Sequence, residues 1–263
     1  MRVNLQPSYI LHTRPYRDSS VVLEIFTAQH GRLAVVVRGV RRKSRGGSSG
    51  ALLQPFNPLL LSFSGRAEMK NLNAVEAAAP AIALRGERLF SGLYINELLI
   101  RLLHRHDACP QLFARYGQTL QVLSGQAAVD ATLRRFELTL LHELGYHLEL
   151  RVDGHSGELI RPDGWYRFQP GAGLVACCDE ARAPHTAGFA GADLLAMAGG
   201  EFGGALSLTA RRLLRQALAV HLGEAPLRSR DLFGAGRAAV ARGEPAPQAA
   251  PAAQSVSATG AKP

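Results

Sequence analysis

Arg38, Arg41, Arg42, Lys43 and Arg45 crowd into eight positions directly after the apolar run Leu33–Val37, inside the stretch GRLAVVVRGVRRKSRGGSSG that spans residues 31–50. Permanently charged side chains at that density, on a Gly/Ser-rich loop anchored by a strand, suit one kind of chemistry. They hold the phosphates of a polyanion through charge-assisted hydrogen bonds and displace its counterions. The plainer alternative is a solvated loop whose charges keep a sticky strand from aggregating. Arg14, Arg32, Arg66 and Lys70 can extend the cluster over neighbouring strands, where Tyr9, Tyr16, Phe26, Phe56 and Phe63 are interleaved with them. An aromatic ring on an open face stacks on any base, which gives single-strand binding indifferent to sequence. Phe26 shares its strand parity with Glu24, so Phe26 and Tyr16 are the rings expected on the open face.

Other arrangements fall short of a catalytic or metal site. HELGYH, residues 142–147, resembles the zinc-protease helix motif, but its histidines are five apart rather than four. That spacing rotates the second ligand by about 140° around a helix axis, and Gly145 is placed to end the helix between them. Cys177 and Cys178 are adjacent, without the two-residue spacer of a zinc knuckle; His155 and His185 in the same region could assist, yet ordinary thiols are the simpler reading. Gly46–Gly50 belong to no GxxxxGK[ST] phosphate loop, and no GxSxG elbow or paired-carboxylate cluster occurs. The chain is therefore expected not to be an enzyme and to need no metal and no cofactor.

The elements that must position the cations change character near residue 80. Ser8–Arg14, Ser20–Ala28, Gly31–Arg38, Leu52–Phe63 and Glu68–Ala77 read as five β-strands divided by Asp-Ser, His-Gly and Ser-Gly turns. Val21, Leu23 and Ile25 alternate with Val22, Glu24 and Phe26, the period of a sheet with one buried face. A five-stranded OB-fold barrel removes the edges of such a sheet most economically, and strand count alone also fits an SH3-like barrel. From Ala81 the period becomes helical. Ile95, Leu98, Leu99, Leu102 and Leu103 form one stripe, and Leu112, Phe113, Tyr116, Leu120 and Leu123 a second. Asp130 is placed to N-cap a third helix carrying Leu133, Phe136, Leu140, Leu141 and Leu144, with Gly145 as its stop. Residues 150–190 lose periodicity and read as an irregular insertion, after which helices return over Asp193–Met197 and Thr209–Leu222, ended by Gly223. The fold class is thus α+β: an OB-fold domain over 1–80, a helical domain over 81–240 with its insertion, and an Ala/Pro-rich tail over 241–263 too poor in apolar residues to order itself.

With 263 residues, 47% of them hydrophobic, the chain can bury a substantial core. Its formal charge of +9 is uneven: residues 1–80 hold 11 Lys/Arg against 4 Asp/Glu, while the remainder holds 19 against 17. Basicity concentrated in the barrel marks a local nucleic-acid footprint. No signal-peptide-like or membrane-spanning apolar run is present, and three cysteines make no disulfide framework, so a cytoplasmic protein with no membrane contact is expected.

RGVRRKSR, LQPFNPLLLSFSGRAEMKNL, SGLYINELL, LRRFELTLLHELGY and PLRSRDLF, in this order from about Tyr9 to Phe233, together resemble the RecO family of bacterial DNA repair and recombination mediators. The resemblance implies an OB-fold joined to a helical domain. It also implies binding to single- and double-stranded DNA, annealing of complementary strands, and, with RecR, loading of RecA onto strands coated by single-stranded DNA-binding protein. Many members carry a four-cysteine zinc module in the insertion. Here Asp153, Gly154, His155 and Ser156 stand where the first cysteine pair is expected, and the second is reduced to Cys177 and Cys178. With the resemblance, a groove lined by Leu99, Leu102, Tyr116 and Leu133 and rimmed by Arg134, with Arg135 beside it, is expected to take the acidic, Phe-terminated tail of single-stranded DNA-binding protein. A non-catalytic RNA- or ribosome-associated factor would show the same basic loop, and strand annealing separates the two.

Overall fold

The computed structural model describes residues 1–39, 52–146, 148–177, 188–229 and 231–232. Strands β1 (Arg2–Tyr16), β2 (Ser20–Thr27), β3 (Gly31–Val37), β4 (Leu59–Ser64) and β5 (Lys70–Ala77) close a barrel in the order β1-β2-β3-β5-β4. This is the OB-fold arrangement. Closure rests on a short parallel pairing of Val35 and Val36 with Lys70 and Asn71. β1 is long enough to serve both sides of the barrel, pairing with β2 and β4, and register shifts at Val3/Gln6 and Ile10/His12 bend it between them. Ile10, Leu23, Ile25, Leu33, Val35, Leu59, Leu61 and Phe63 fill the interior. The strand expected over Leu52–Phe63 begins only at Leu59. Pro55 and Pro58 supply no N–H to a ladder, and Phe56 turns at φ 71 to pack instead into the helical core.

Five helices follow among the described residues: α1 (Glu87–Leu102), α2 (Pro110–Ser124), α3 (Val129–Glu143), α4 (Gly191–Ala198) and α5 (Leu206–Leu222). Their stripes behave as the periodicity predicts. Leu98, Leu99, Leu112, Tyr116, Leu120, Phe136 and Leu140 join one core, and Gly145 and Gly223, both at positive φ, stop α3 and α5. Asp130 does not cap α3. The N-cap is Ala128, and Asp130, inside the first turn, accepts hydrogen bonds from Ser207 Oγ at 3.1 Å and Arg211 Nη2 at 2.9 Å on α5. The PLRSRDLF segment is anchored on α1: Glu97 accepts from the Arg228 and Ser229 N–H groups at 2.9 and 2.8 Å and from Ser229 Oγ at 2.6 Å.

The insertion is more regular than expected. β6 (Trp165–Gln169), β7 (Gly173–Ala176) and β8 (Phe189–Ala190) form an antiparallel sheet in the order β7-β6-β8. Tyr166, Leu174 and Phe189 pack with Leu194, Met197 and Leu213 of α4 and α5, so this sheet shares its core with the helical domain. The strands are too short, at two to five residues, to show an alternation in the sequence. The proposed disordered tail at 241–263 lies outside the described residues. Among those described, no helix is long and apolar enough to cross a membrane.

Candidate nucleic-acid interface

Cross-strand register lays a row of side chains around the barrel. Arg14 pairs with Val22, Val22 with Val36, Val36 with Asn71, Asn71 with Ser64, and Ser64 with Arg2. At roughly 4.8 Å per strand, five steps cover about 24 Å, a length compatible with the few nucleotides one OB-fold holds. Arg2, Arg14 and Asn71 are exposed and Ser64 is half-buried, whereas Val22 is covered. Arg38, exposed at the end of β3, donates from Nη2 to Asn71 Oδ1 at 3.3 Å, and Asn73 Nδ2 donates to Ser64 Oγ at 3.1 Å. At the β1–β2 turn Arg17 takes φ 53 and places its guanidinium 5.2 Å above the Tyr16 ring. Arg66 is exposed just beyond β4. Among the described residues none of these five arginines forms an ion pair with a carboxylate. Arg41, Arg42, Lys43 and Arg45 lie outside the described residues.

Two expected phosphate contacts are taken up inside the fold. Arg32 Nη1 binds Glu24 Oε2 at 3.2 Å, and its Nε and Nη2 donate to the Leu103 carbonyl at 3.1 and 3.0 Å. Arg105 Nη2 meets the other Glu24 oxygen at 2.6 Å, so these charges lock the barrel to the α1–α2 connection. Burial pulls the Arg32 guanidinium below its ordinary value, and Glu24 opposes that shift. Lys70 points inward, buried, and donates to the Ala67 carbonyl at 2.5 Å. Phe26 lies on the outer barrel face, as its parity predicts, but that face is covered. Tyr9, Leu11 and Phe26 pack under α2, with ring centroids 5.4 Å apart for Phe26–Phe113 and 5.0 Å for Tyr9–Tyr116. Tyr16 alone of the two expected stacking rings stays half-exposed.

The groove expected at Leu99, Leu102, Tyr116 and Leu133 is solid core, since all four side chains are buried where α1, α2 and α3 meet. Arg134 is buried with them. Its Nη1 pairs with Glu137 Oε2 at 2.8 Å, and Tyr94 O–H donates to Glu137 Oε1 at 2.7 Å. Arg135, about 100° around α3, faces outward instead. Its Nη2 donates to the Gly200 carbonyl at 3.1 Å and its guanidinium lies 5.9 Å from the Phe202 ring centroid. Arg135 borders a cavity of about 180 Å³ between α2 and α3, walled by Arg115, Gln118, Val122, Phe136 and Thr139. A wider hollow continues from Arg115 and Gln118 towards Gln111, His142 and Glu143. Arg115, Arg2 and Asn71 carried no sequence signal of their own. Only the packing shows which faces of their elements are left open.

The chain matches the family models "Recombination protein O N terminal" over residues 1–81 and "Recombination protein O C terminal" over residues 84–231. It is 46% identical to the DNA repair protein RecO of Methylococcus capsulatus over 233 residues, 88% of this chain and 93% of that one. The DNA repair protein RecO of Pseudomonas paraeruginosa is 45% identical over 230 residues, 87% of this chain and 94% of that one. That of Stutzerimonas stutzeri is 46% identical over 231 residues, covering 87% and 92%. The chain belongs to the RecO family. RecO membership assigns it a role in DNA repair and recombination.

The zinc module implied for many RecO proteins does not fit the described residues of the insertion; Cys178 and His185 lie outside them. Asp153 occupies the first ligand region, and both its oxygens already accept backbone N–H groups, from His155, Ser156 and Ala176. Among the described residues no group of three or more His, Cys, Asp or Glu is gathered for a metal ion.

Proposed function

We propose that this RecO-family chain is a non-catalytic recombination mediator. It binds single- and double-stranded DNA over the barrel and the basic segment 40–51, anneals complementary strands, and with RecR promotes RecA loading on strands coated by single-stranded DNA-binding protein. One observation carries the reading: Arg2, Arg14, Arg17, Arg38 and Arg66 surround one barrel with no carboxylate engaging them among the described residues, and the basic sequence of 40–51 follows Arg38 directly. Cations that the fold does not consume are available to phosphates. The tail of single-stranded DNA-binding protein is assigned to the α2–α3 cavity, in place of the core residues expected first. Val122 and Phe136 supply apolar wall for a terminal Phe ring, and Arg115 and Arg135 supply guanidinium groups for its carboxylate and the acidic residues before it.

Two variants test the division of labour. Replacing Arg14, Arg38 and Arg66 together by Ala flattens the slope of log K against log salt on single strands by about 2 units, because each lost phosphate contact removes about 0.7. Tail-peptide binding in fluorescence polarisation stays unchanged. Arg115→Glu with Arg135→Glu weakens the tail peptide by about tenfold or more, from two lost charge-assisted contacts, and spares binding to naked strands. It also slows annealing only on coated strands. An unchanged salt slope in the first variant moves the DNA site off the barrel, and loss of both activities in the second defeats the two-site reading.

A further inference from the structure

We infer that the Asp153 carboxylate is the organising centre of the insertion, joining the 151–160 hairpin to the end of β7 by hydrogen bonds alone, so that the insertion folds without a metal. Residues 151–160 form a tight hairpin: Val152 bridges Leu159, Asp153 N–H donates to the Glu158 carbonyl at 2.8 Å, and Gly157 N–H donates to the Asp153 carbonyl at 2.9 Å. Asp153 itself is 5% exposed. Its Oδ1 accepts the N–H groups of His155 at 2.8 Å and Ser156 at 2.9 Å within that hairpin. Its Oδ2 reaches across to the Ala176 N–H at 2.6 Å, at the end of β7.

Close backbone approach reinforces this crossing. Gly154 N–H donates to the Leu174 carbonyl at 2.7 Å, and a Cβ on Gly154 would stand 1.6 Å from the Ala172 carbonyl oxygen. The 151–160 hairpin and the β6–β7 turn are therefore in van der Waals contact, and only glycine fits at Gly154. Burial pushes the Asp153 carboxyl up, but the N–H groups of Ser156, Ala176 and His155 outweigh it and hold the carboxyl below its ordinary value. A metal centre needs lone pairs directed at one point. Here three N–H groups take three of the four lone-pair sites of the carboxylate, so donors and not a cation surround it. Two charge-assisted bonds hold the carboxylate within its own hairpin and a third ties it to a segment 23 residues away, which is what a structural ion does between two knuckles.

The test uses the full chain, purified without chelator from zinc-replete cells. Elemental analysis is expected to find no stoichiometric zinc, and EDTA is expected to leave the thermal unfolding midpoint unchanged. Asp153→Asn keeps the volume but turns an NH2 group towards an N–H donor. Amide exchange at His155, Ser156 and Ala176 then accelerates by about tenfold or more, the size expected for a buried donor left unpaired. Folded-state ionisation below the ordinary Asp range stabilises the chain fully above that range and stops doing so as pH falls through the depressed value. The midpoint difference between wild type and Asp153→Asn should accordingly be constant near neutrality and close in strong acid. One zinc per chain, an EDTA-induced fall in the midpoint, or unaltered amide protection in Asp153→Asn each overturns the inference. The zinc and EDTA measurements on the wild type decide it even if the variant fails to fold.

Discussion

Glu137→Ala lowers the thermal unfolding midpoint by roughly 10 °C. The Arg134 and Glu137 side chains are 7% and 0% exposed, and Tyr94 O–H donates into the same carboxylate. Removing that carboxylate takes the partner of a buried guanidinium and one acceptor of the Tyr94 hydroxyl out of the core between α1 and α3. Breaking one side of a buried pair costs about 3–5 kcal/mol, and about 2–4 °C per kcal/mol applies to a chain of this size. Restoring neutrality reverses most of the loss: Arg134→Met with Glu137→Leu should recover the midpoint to within a few degrees, since apolar replacement of a buried pair is often neutral. Arg134→Glu places a second carboxylate beside Glu137 and should be at least as damaging. Loss of partner binding in that variant would therefore report unfolding, not a missing contact. Differential scanning calorimetry of the three variants measures all of this, and a Glu137→Ala midpoint equal to wild type would sink the account.

Gly31→Ala separates the barrel from the helical domain. Gly31 begins β3 at φ 62, and a Cβ there would lie 1.9 Å from the Asp107 carbonyl oxygen. Around it, His106 N–H donates to the Arg32 carbonyl at 2.9 Å, Arg32 donates to the Leu103 carbonyl, and Arg105 pairs with Glu24. The added methyl group cannot be accommodated without moving the backbone of 103–107, which breaks those contacts together. Left-handed strain contributes about 1 kcal/mol and the displaced contacts bring the total to about 3 kcal/mol or more. Gly39→Ala is the matched control. Its φ is 74 but nothing lies within 4 Å of its Cβ, so only the strain of about 1 kcal/mol applies. Limited proteolysis should show faster cleavage across residues 103–109 in Gly31→Ala and unchanged cleavage there in Gly39→Ala. Equal behaviour of the two variants would show that the domain contact at Gly31 is not what holds the connection.

Both predictions concern arginines and glycines whose type is plain in the sequence and whose task is not. Periodicity is a local property, so the chain by itself determined the five strands, the helical stripes, the stops at Gly145 and Gly223, and the charge excess of the first 80 residues. Its ordered blocks were also specific enough to indicate the RecO family before any packing was known. The alternation in β2 even put Phe26 on the correct side of its strand. Which of two faces another element covers is a long-range outcome, and no local period records it. Phe26 and Tyr9 meet α2, Arg32 meets a carbonyl 71 positions away, and Arg134 turns inward where Arg135, one residue on, turns out. A charged side chain looks the same in sequence whether it faces phosphate or a buried carboxylate. The short strands of the insertion carry too few residues for a readable period, and Asp153 acquires its task only when Ala176 folds back onto it. Tertiary structure alone therefore decided which cations remain for a partner, because burial against distant segments removes Arg32, Lys70 and Arg134 from the surface and leaves Arg2, Arg14, Arg38, Arg115 and Arg135 on it.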